Sequence, residues 1–136
     1  MTNSRPLILD ASVLVAYERE LTRRTQAFVV AAITDGRILL ASALSLAVAA
    51  AELVDQHGEL SWLVEDPEGP LQVLTLSSMN ALDVGTLAAR AGALDAATLE
   101  LAQVVHEAAG IRAIVLTYEP KLYQAESIDV MDMRPR

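Results

Sequence analysis

Cysteine is absent from the 136 residues, which excludes a disulfide framework and any thiolate metal site and suits a reducing, cytoplasmic setting. Aromatic residues are scarce at 4%, so a chain that is 53% hydrophobic must build its core from Ala, Leu and Val. Basic residues are outnumbered, ten Lys and Arg against eighteen Asp and Glu, for a net charge of −8. That balance excludes a broad basic surface for phosphates; a nucleic-acid partner would need a local basic patch or metal ions. The two histidines, His57 and His106, stand at no ligand spacing and read as surface or boundary residues. Neither a glycine-rich phosphate loop nor a Gly-x-Ser-x-Gly elbow occurs. Long hydrophobic runs are also missing. The nearest, Ile38 to Val54, is broken by Ser42, Ser45 and Glu52 and flanked by Arg37 and Asp55, as in a buried helix rather than a membrane span. Met1 to Pro6 lacks the apolar core of a signal peptide.

What is present alternates. Leu7-Ile8-Leu9 reads as a short strand buried on both faces, and Ala11 to Glu18 as the helix after it. A second helix is predicted from Leu21 to Ile33, ended by Asp35-Gly36. Arg37 to Ala41 reads as a second buried strand, and Ser42 as the N-cap of an alanine-rich helix to Leu53 or Val54. In the polar stretch Asp55 to Pro70, Leu60, Trp62, Leu63 and Val64 suggest a turn or two of amphipathic helix, with Trp62 as a lid over the core. Glu65 to Pro70 reads as a loop. Leu71 to Leu76 is a third strand, and Ser77 or Ser78 caps a helix from Met79 to Arg90, stopped by Gly92. Asp95 opens the clearest helix: Leu99, Ala102, Val105 and Ala109 recur at helical spacing, Glu100, Gln103 and Glu107 fall elsewhere, and Gly110 closes it. Ala113 to Leu116 is a fourth strand, Thr117 to Gln124 a loop with a short helix, and Ile128 to Met131 an edge strand. The expectation is one domain over residues 1–136, a three-layer α/β/α sandwich with a mainly parallel five-stranded sheet.

Three acids share one address in that scheme. Asp10 follows strand one, Asp95 opens a helix, and Glu119 comes just after strand four. In a parallel sheet, strand ends and helix N-termini converge on one edge. Gathered there, the acids repel unless a cation joins them, and hard oxygen donors suit Mg²⁺ or Mn²⁺, ions that activate water for phosphodiester cleavage. Each acid also has a plainer reading: Asp10 and Asp95 as N-caps, Glu119 as a solvated loop acid beside a helix N-terminus. Ser12 and Thr117 either orient carboxylates or water, or satisfy local backbone groups. Lys121 either reaches the acids and stands in for a cation, or points to solvent.

The run Leu7-Ile8-Leu9-Asp10-Ala11-Ser12-Val13-Leu14 resembles the opening of PIN domains, with a strand-end Asp and a hydroxyl two residues on. Leu94-Asp95-Ala96-Ala97-Thr98-Leu99, then Gly110 to Tyr123 with its Thr117-Tyr118-Glu119-Pro120, is similar to the second half of that domain. Size and element order match the toxin half of VapC-type toxin–antitoxin pairs. The resemblance implies a metal-dependent endoribonuclease, with Asp10 and Asp95 on Mg²⁺ or Mn²⁺, Glu119 as an outer ligand or water-orienting base, and an antitoxin partner. The match has two departures. PIN nucleases carry a Glu half a dozen residues past strand two, where this chain has Ala47 or Val48. Glu52 is the alternative, on the same face as Val48 but ~6 Å further along the axis, and otherwise an exposed helix acid. Glu119 stands where the family has Asp.

Two functions follow, and a third is weaker. The first is a VapC-like endoribonuclease acting on RNA, with activity impaired by a degenerate acidic site. The second is a catalytically inactive PIN-fold protein that binds an antitoxin-like partner or forms a homodimer through its alanine-rich helices. The third, a receiver-like phosphoacceptor domain, is disfavoured because strand one ends in one acid and strand three in Ser77-Ser78.

Overall fold

The computed structural model describes residues 5–20, 22–54, 56–65, 69–92 and 95–135. Expectations resting on Met1 to Ser4, Leu21, Asp55, Asp66 to Glu68, Ala93 and Leu94 lie outside the described residues. The elements run β1 (Leu7–Leu9), α1 (Ala11–Arg19), α2 (Arg24–Thr34), β2 (Leu39–Ser42), α3 (Ala43–Leu53), α4 (Gly58–Val64), β3 (Leu71–Leu74), α5 (Ser78–Arg90), α6 (Ala96–Ile111), β4 (Ile114–Thr117) and β5 (Asp129–Asp132). A 3-10 turn, Pro120–Tyr123, follows β4.

The five strands form one all-parallel sheet in the order β3-β2-β1-β4-β5. Leu7 pairs with Leu39 and Ile114, and Leu9 with Leu116, so β1 is flanked on both sides. Strand pleating then divides the aliphatic residues between two faces. Leu7, Leu9, Leu39, Ala41, Leu71 and Leu116 pack toward α1 to α4, with Val13, Leu14, Val29, Leu53, Leu60 and Leu63. Ile8, Leu40 and Val115 face the other way, onto Val104, Val105 and Ala108 of α6. Helices therefore cover both faces, as the continuous aliphatic strands require. The chain leaves β1 for β2 on one side and reaches β4 on the other, so β1 and β4 bound the crevice where strand order reverses.

Several boundaries differ from the sequence reading, each for a local reason. α2 starts at Arg24, where Glu20 reaches forward to accept the Thr25 N–H at 2.6 Å. Arg37 closes the preceding turn through its N–H to Ala32 O, which delays β2 to Leu39. β3 ends at Leu74, its last residue paired with β2, and Ser77 is the α5 cap. α6 runs through Gly110 to Ile111, because Arg112 takes the left-handed conformation (φ 55°) and closes the helix. Ala109 is exposed, whereas Glu100 and Gln103 are buried. Gln103 is 0% exposed because both ends of its amide are used: it accepts from Leu44 N–H and donates to Leu74 O. Trp62 is not a lid; Leu60 and Leu63 take the inward positions of α4 and leave the indole 64% exposed.

Candidate acidic site

Asp10 is held from three directions as β1 gives way to α1. As the α1 N-cap it accepts the Val13 N–H through Oδ1 at 3.3 Å. Ser12 Oγ donates to the same oxygen at 2.6 Å, and the Tyr123 hydroxyl donates to Oδ2 at 2.8 Å. Asp10 is 3% exposed, so these donors replace water around a nearly buried carboxylate. Burial foremost, then the charges of Asp10 and Glu100, push the Tyr123 hydroxyl far above its ordinary range, so it is a fixed donor.

The loop after β4 is tied to the same point. Ser12 Oγ accepts the Tyr118 N–H at 2.9 Å, and Thr117 Oγ1 accepts the Glu119 N–H at 2.9 Å. Ser12 therefore both orients Asp10 and satisfies backbone, while Thr117 serves the backbone that carries Glu119. Asp95 caps α6 by accepting the Thr98 N–H at 2.8 Å; hydrogen bonds from Thr98 hold its exposed carboxyl below the usual range. Glu52 lies on the outer part of α3, 3.7 Å from Arg19.

All four expected acids line one cavity of about 440 Å³ at the carboxyl edge of the sheet, and Ser12 lines it with them. A larger cavity of about 520 Å³ lies at the opposite edge near Arg5, Arg112 and Asp129. There Arg5 is engaged by Asp129 and by the Arg112 carbonyl. Lys121 is exposed and makes no ion pair with a described residue, and no described Lys or Arg lines the acidic cavity. His57 contacts Ser61 and His106 lies by Asp83, both away from it.

A fifth acid completes the lining. Glu100 projects from α6 between α1 and α3, where its Oε2 accepts from Ser45 Oγ at 2.6 Å and from the Ala11 N–H at 3.4 Å. Burial, supplemented by the charges of Asp10 and Glu119, raises its pKa. Its helical signal was available: Glu100, Val104 and Ala108 form a second stripe at four-residue spacing, and all are buried. The expected family position on α3 is apolar, and Val48 lines the cavity there.

No protein-family model matches the chain, and no curated protein does either. Solved structures do. A chain of the VapBC2 structure from Rickettsia felis, bound to a DNA fragment from the promoter, superimposes with a TM-score of 0.63 at 12% identity, covering 94% of this chain and 98% of that one. The DNA-bound VapBC structure from Salmonella typhimurium gives a TM-score of 0.54 at 19% identity, with the same coverage of 94% and 98%. The fold is PIN-like. The PIN-like fold places the acidic cavity at the β1–β4 crevice, and among the described residues no helix is long and apolar enough to cross a membrane.

Proposed function

We propose that residues 1–136 form one PIN-like domain that acts as a VapC-like, Mg²⁺- or Mn²⁺-dependent endoribonuclease of impaired activity. The observation that carries this reading is the convergence of Asp10, Asp95, Glu119, Glu52 and Glu100 on one cavity with no described cation in its wall. Among the described residues no three carboxylates stand close enough to cage an ion directly. The donor set fits an ion that keeps most of its water and takes one or two carboxylates, as Mg²⁺ does in phosphoryl chemistry. Asp10 and Asp95 would hold it. Such an ion supplies Lewis-acid charge and a more acidic water at the phosphodiester. Ser12 fixes the Asp10 carboxylate, Glu119 orients water or accepts its proton, and Thr117 sets the Glu119 backbone. An RNA strand approaches a chain of charge −8, so little backbone affinity is available without the ion.

A second reading is favoured by one feature: both oxygens of Asp10 are already engaged by hydroxyl donors. Under it the protein is catalytically inactive, and the acidic cavity receives a basic segment of an antitoxin-like partner, or the domain pairs with a second copy. Calorimetric titration of Mn²⁺ separates the two. Saturable binding lost in Asp10→Asn, with Mn²⁺-dependent cleavage of a mixed RNA pool, supports the nuclease. Absence of binding at millimolar Mn²⁺ leaves the partner-binding reading.

A further inference from the structure

The end of the sheet away from the acids gathers cations. Arg5 stands before β1, Arg37 before β2 and Arg112 before β4, all at the amino edge, in a chain with only ten Lys and Arg. Arg5 and Arg112 wall the cavity of about 520 Å³ there, together with Ser127, Asp129 and an apolar side of alanines and Ile128. We infer that this cavity is a binding site for a small phosphomonoester, one that does not depend on the nuclease reading. The phosphate lies between the guanidinium groups of Arg5 and Arg112, and the organic body covers the apolar side. A volume of about 520 Å³ falls within the roughly 300–1,000 Å³ of small-molecule sites, which is why the ligand carries a body as well as a phosphate.

The two guanidinium groups are prepared differently. Arg5 is held by backbone: Nε donates to the Arg112 carbonyl at 2.7 Å and Nη2 to the Ala113 carbonyl at 3.4 Å, which fixes the plane of the fork and leaves Nη1 to Asp129. Arg112 gives its carbonyl to that arrangement, while no described residue accepts from its guanidinium or pairs with its charge. Arg37 donates to the Arg5 carbonyl at 3.0 Å, so the three guanidinium groups have a single carboxylate partner, Asp129, among the described residues. Closing the end of α6 accounts for the backbone bonds of Arg5; it leaves the Arg112 guanidinium without a task. Asp129 is a built-in competitor, but a weak one. Its side chain is 68% exposed and that of Arg5 40%, and an ion pair so wet contributes little. A phosphomonoester brings about −1.5 to −2 charge and three acceptor oxygens, enough to engage Arg5 and Arg112 together where a carboxylate serves one. The negative end of α6 is muted beside it, because the Ala108 carbonyl already accepts the N–H groups of Arg112 and Ala113.

Titration of the full-length protein with phenyl phosphate, followed in ¹H–¹⁵N spectra of the arginine Nε–Hε groups, tests this. The Arg5 and Arg112 signals should shift saturably. In Arg112→Gln the Kd should rise about tenfold or more, because charge-assisted bonds to the phosphate are lost. In Asp129→Asn it should fall about threefold or more, because the competing charge is gone. Lys121→Gln removes an exposed cation elsewhere and should leave the Kd unchanged. Benzoate, a monoanion with the same ring, should bind about tenfold more weakly or worse. Inorganic phosphate should shift the same two arginines with a higher Kd than phenyl phosphate. Absence of a saturable shift, a wild-type Kd in Arg112→Gln or Asp129→Asn, or an equal loss in Lys121→Gln overturns the inference. Benzoate binding as tightly as phenyl phosphate overturns the phosphate, and inorganic phosphate binding as tightly overturns the organic body. Should Arg112→Gln not fold, a stationary Arg112 signal in saturated wild-type protein overturns the inference in its place.

Discussion

Tyr123 and Asp10 form the tightest decision in the molecule. The phenol is buried against Ile8, Val104 and Val105, and its hydroxyl donates to Asp10 Oδ2 at 2.8 Å. Removing the hydroxyl leaves the packing and returns one lone-pair oxygen to the cavity. Tyr123→Phe should therefore lose about 1.5–3 kcal/mol of stability without metal, the worth of a hydrogen bond to a charged group. Mn²⁺ should bind more tightly to Tyr123→Phe than to wild type, so the thermal unfolding difference narrows as Mn²⁺ saturates. Equal metal affinity in the two proteins would mean that the phenol does not compete with the ion. The same scale explains what could be read in advance. Asp10, Ser42, Ser77 and Asp95 cap helices as expected, because each bonds an N–H only three residues away. Glu100 could not be assigned that way. Its partners Ser45 and Ala11 are 55 and 89 positions distant, and a polar residue on a buried stripe shows its purpose only through such partners.

At the scale of elements, α2 depends on a residue outside itself. Arg23 precedes the helix in a left-handed conformation and offers no side-chain cap, while Glu20 accepts the Thr25 N–H at 2.6 Å. Burial opposes ionisation of Glu20, but hydrogen bonds from Thr25 and the charge of Arg24 outweigh it and lower its pKa. A lowered folded pKa stabilises the protein above the unfolded value near 4.5, and the contribution is lost as pH falls through the folded value. Glu20→Ala should cost about 1 kcal/mol at pH 7. The deficit should shrink below about pH 4.5, in thermal melts taken across that range. An equal deficit at pH 7 and pH 3 would assign it to packing alone. Element order and type were legible because apolar runs, turn residues and N-caps agree along the chain. Boundaries were less so: β2 starts at Leu39 because Arg37 is used by the turn before it, and α6 passes Gly110 because Arg112 ends it instead.

For the whole molecule, the balance of charge and the position of the cavity act together. A net charge of −8 disfavours the compact state, and five carboxylates concentrate part of that repulsion at one edge of the sheet. Mg²⁺ should raise the melting temperature more than KCl of equal ionic strength. At a hundredfold excess over its Kd, the stabilisation expected from linkage is about 2.7 kcal/mol. Equal effects of the two salts would reduce the metal's role to screening. The parallel three-layer fold and the gathering of Asp10, Asp95 and Glu119 at one edge were legible from the alternation of strands and helices along the chain. The fifth acid, the exposure of Trp62 and the pairing of Glu52 with Arg19 required knowledge of which helices meet.

The central position of β1 also sets a timetable. Its second neighbour, β4, is Ile114–Thr117, so the strand that leads into Asp10 keeps one open edge until this fourth strand in chain order has emerged from a ribosome. Glu119 and Tyr123 follow later still. A nascent chain released early would carry Asp10 without the groups that hold it, so competence in the cleft should arise together with completion of the sheet rather than before it.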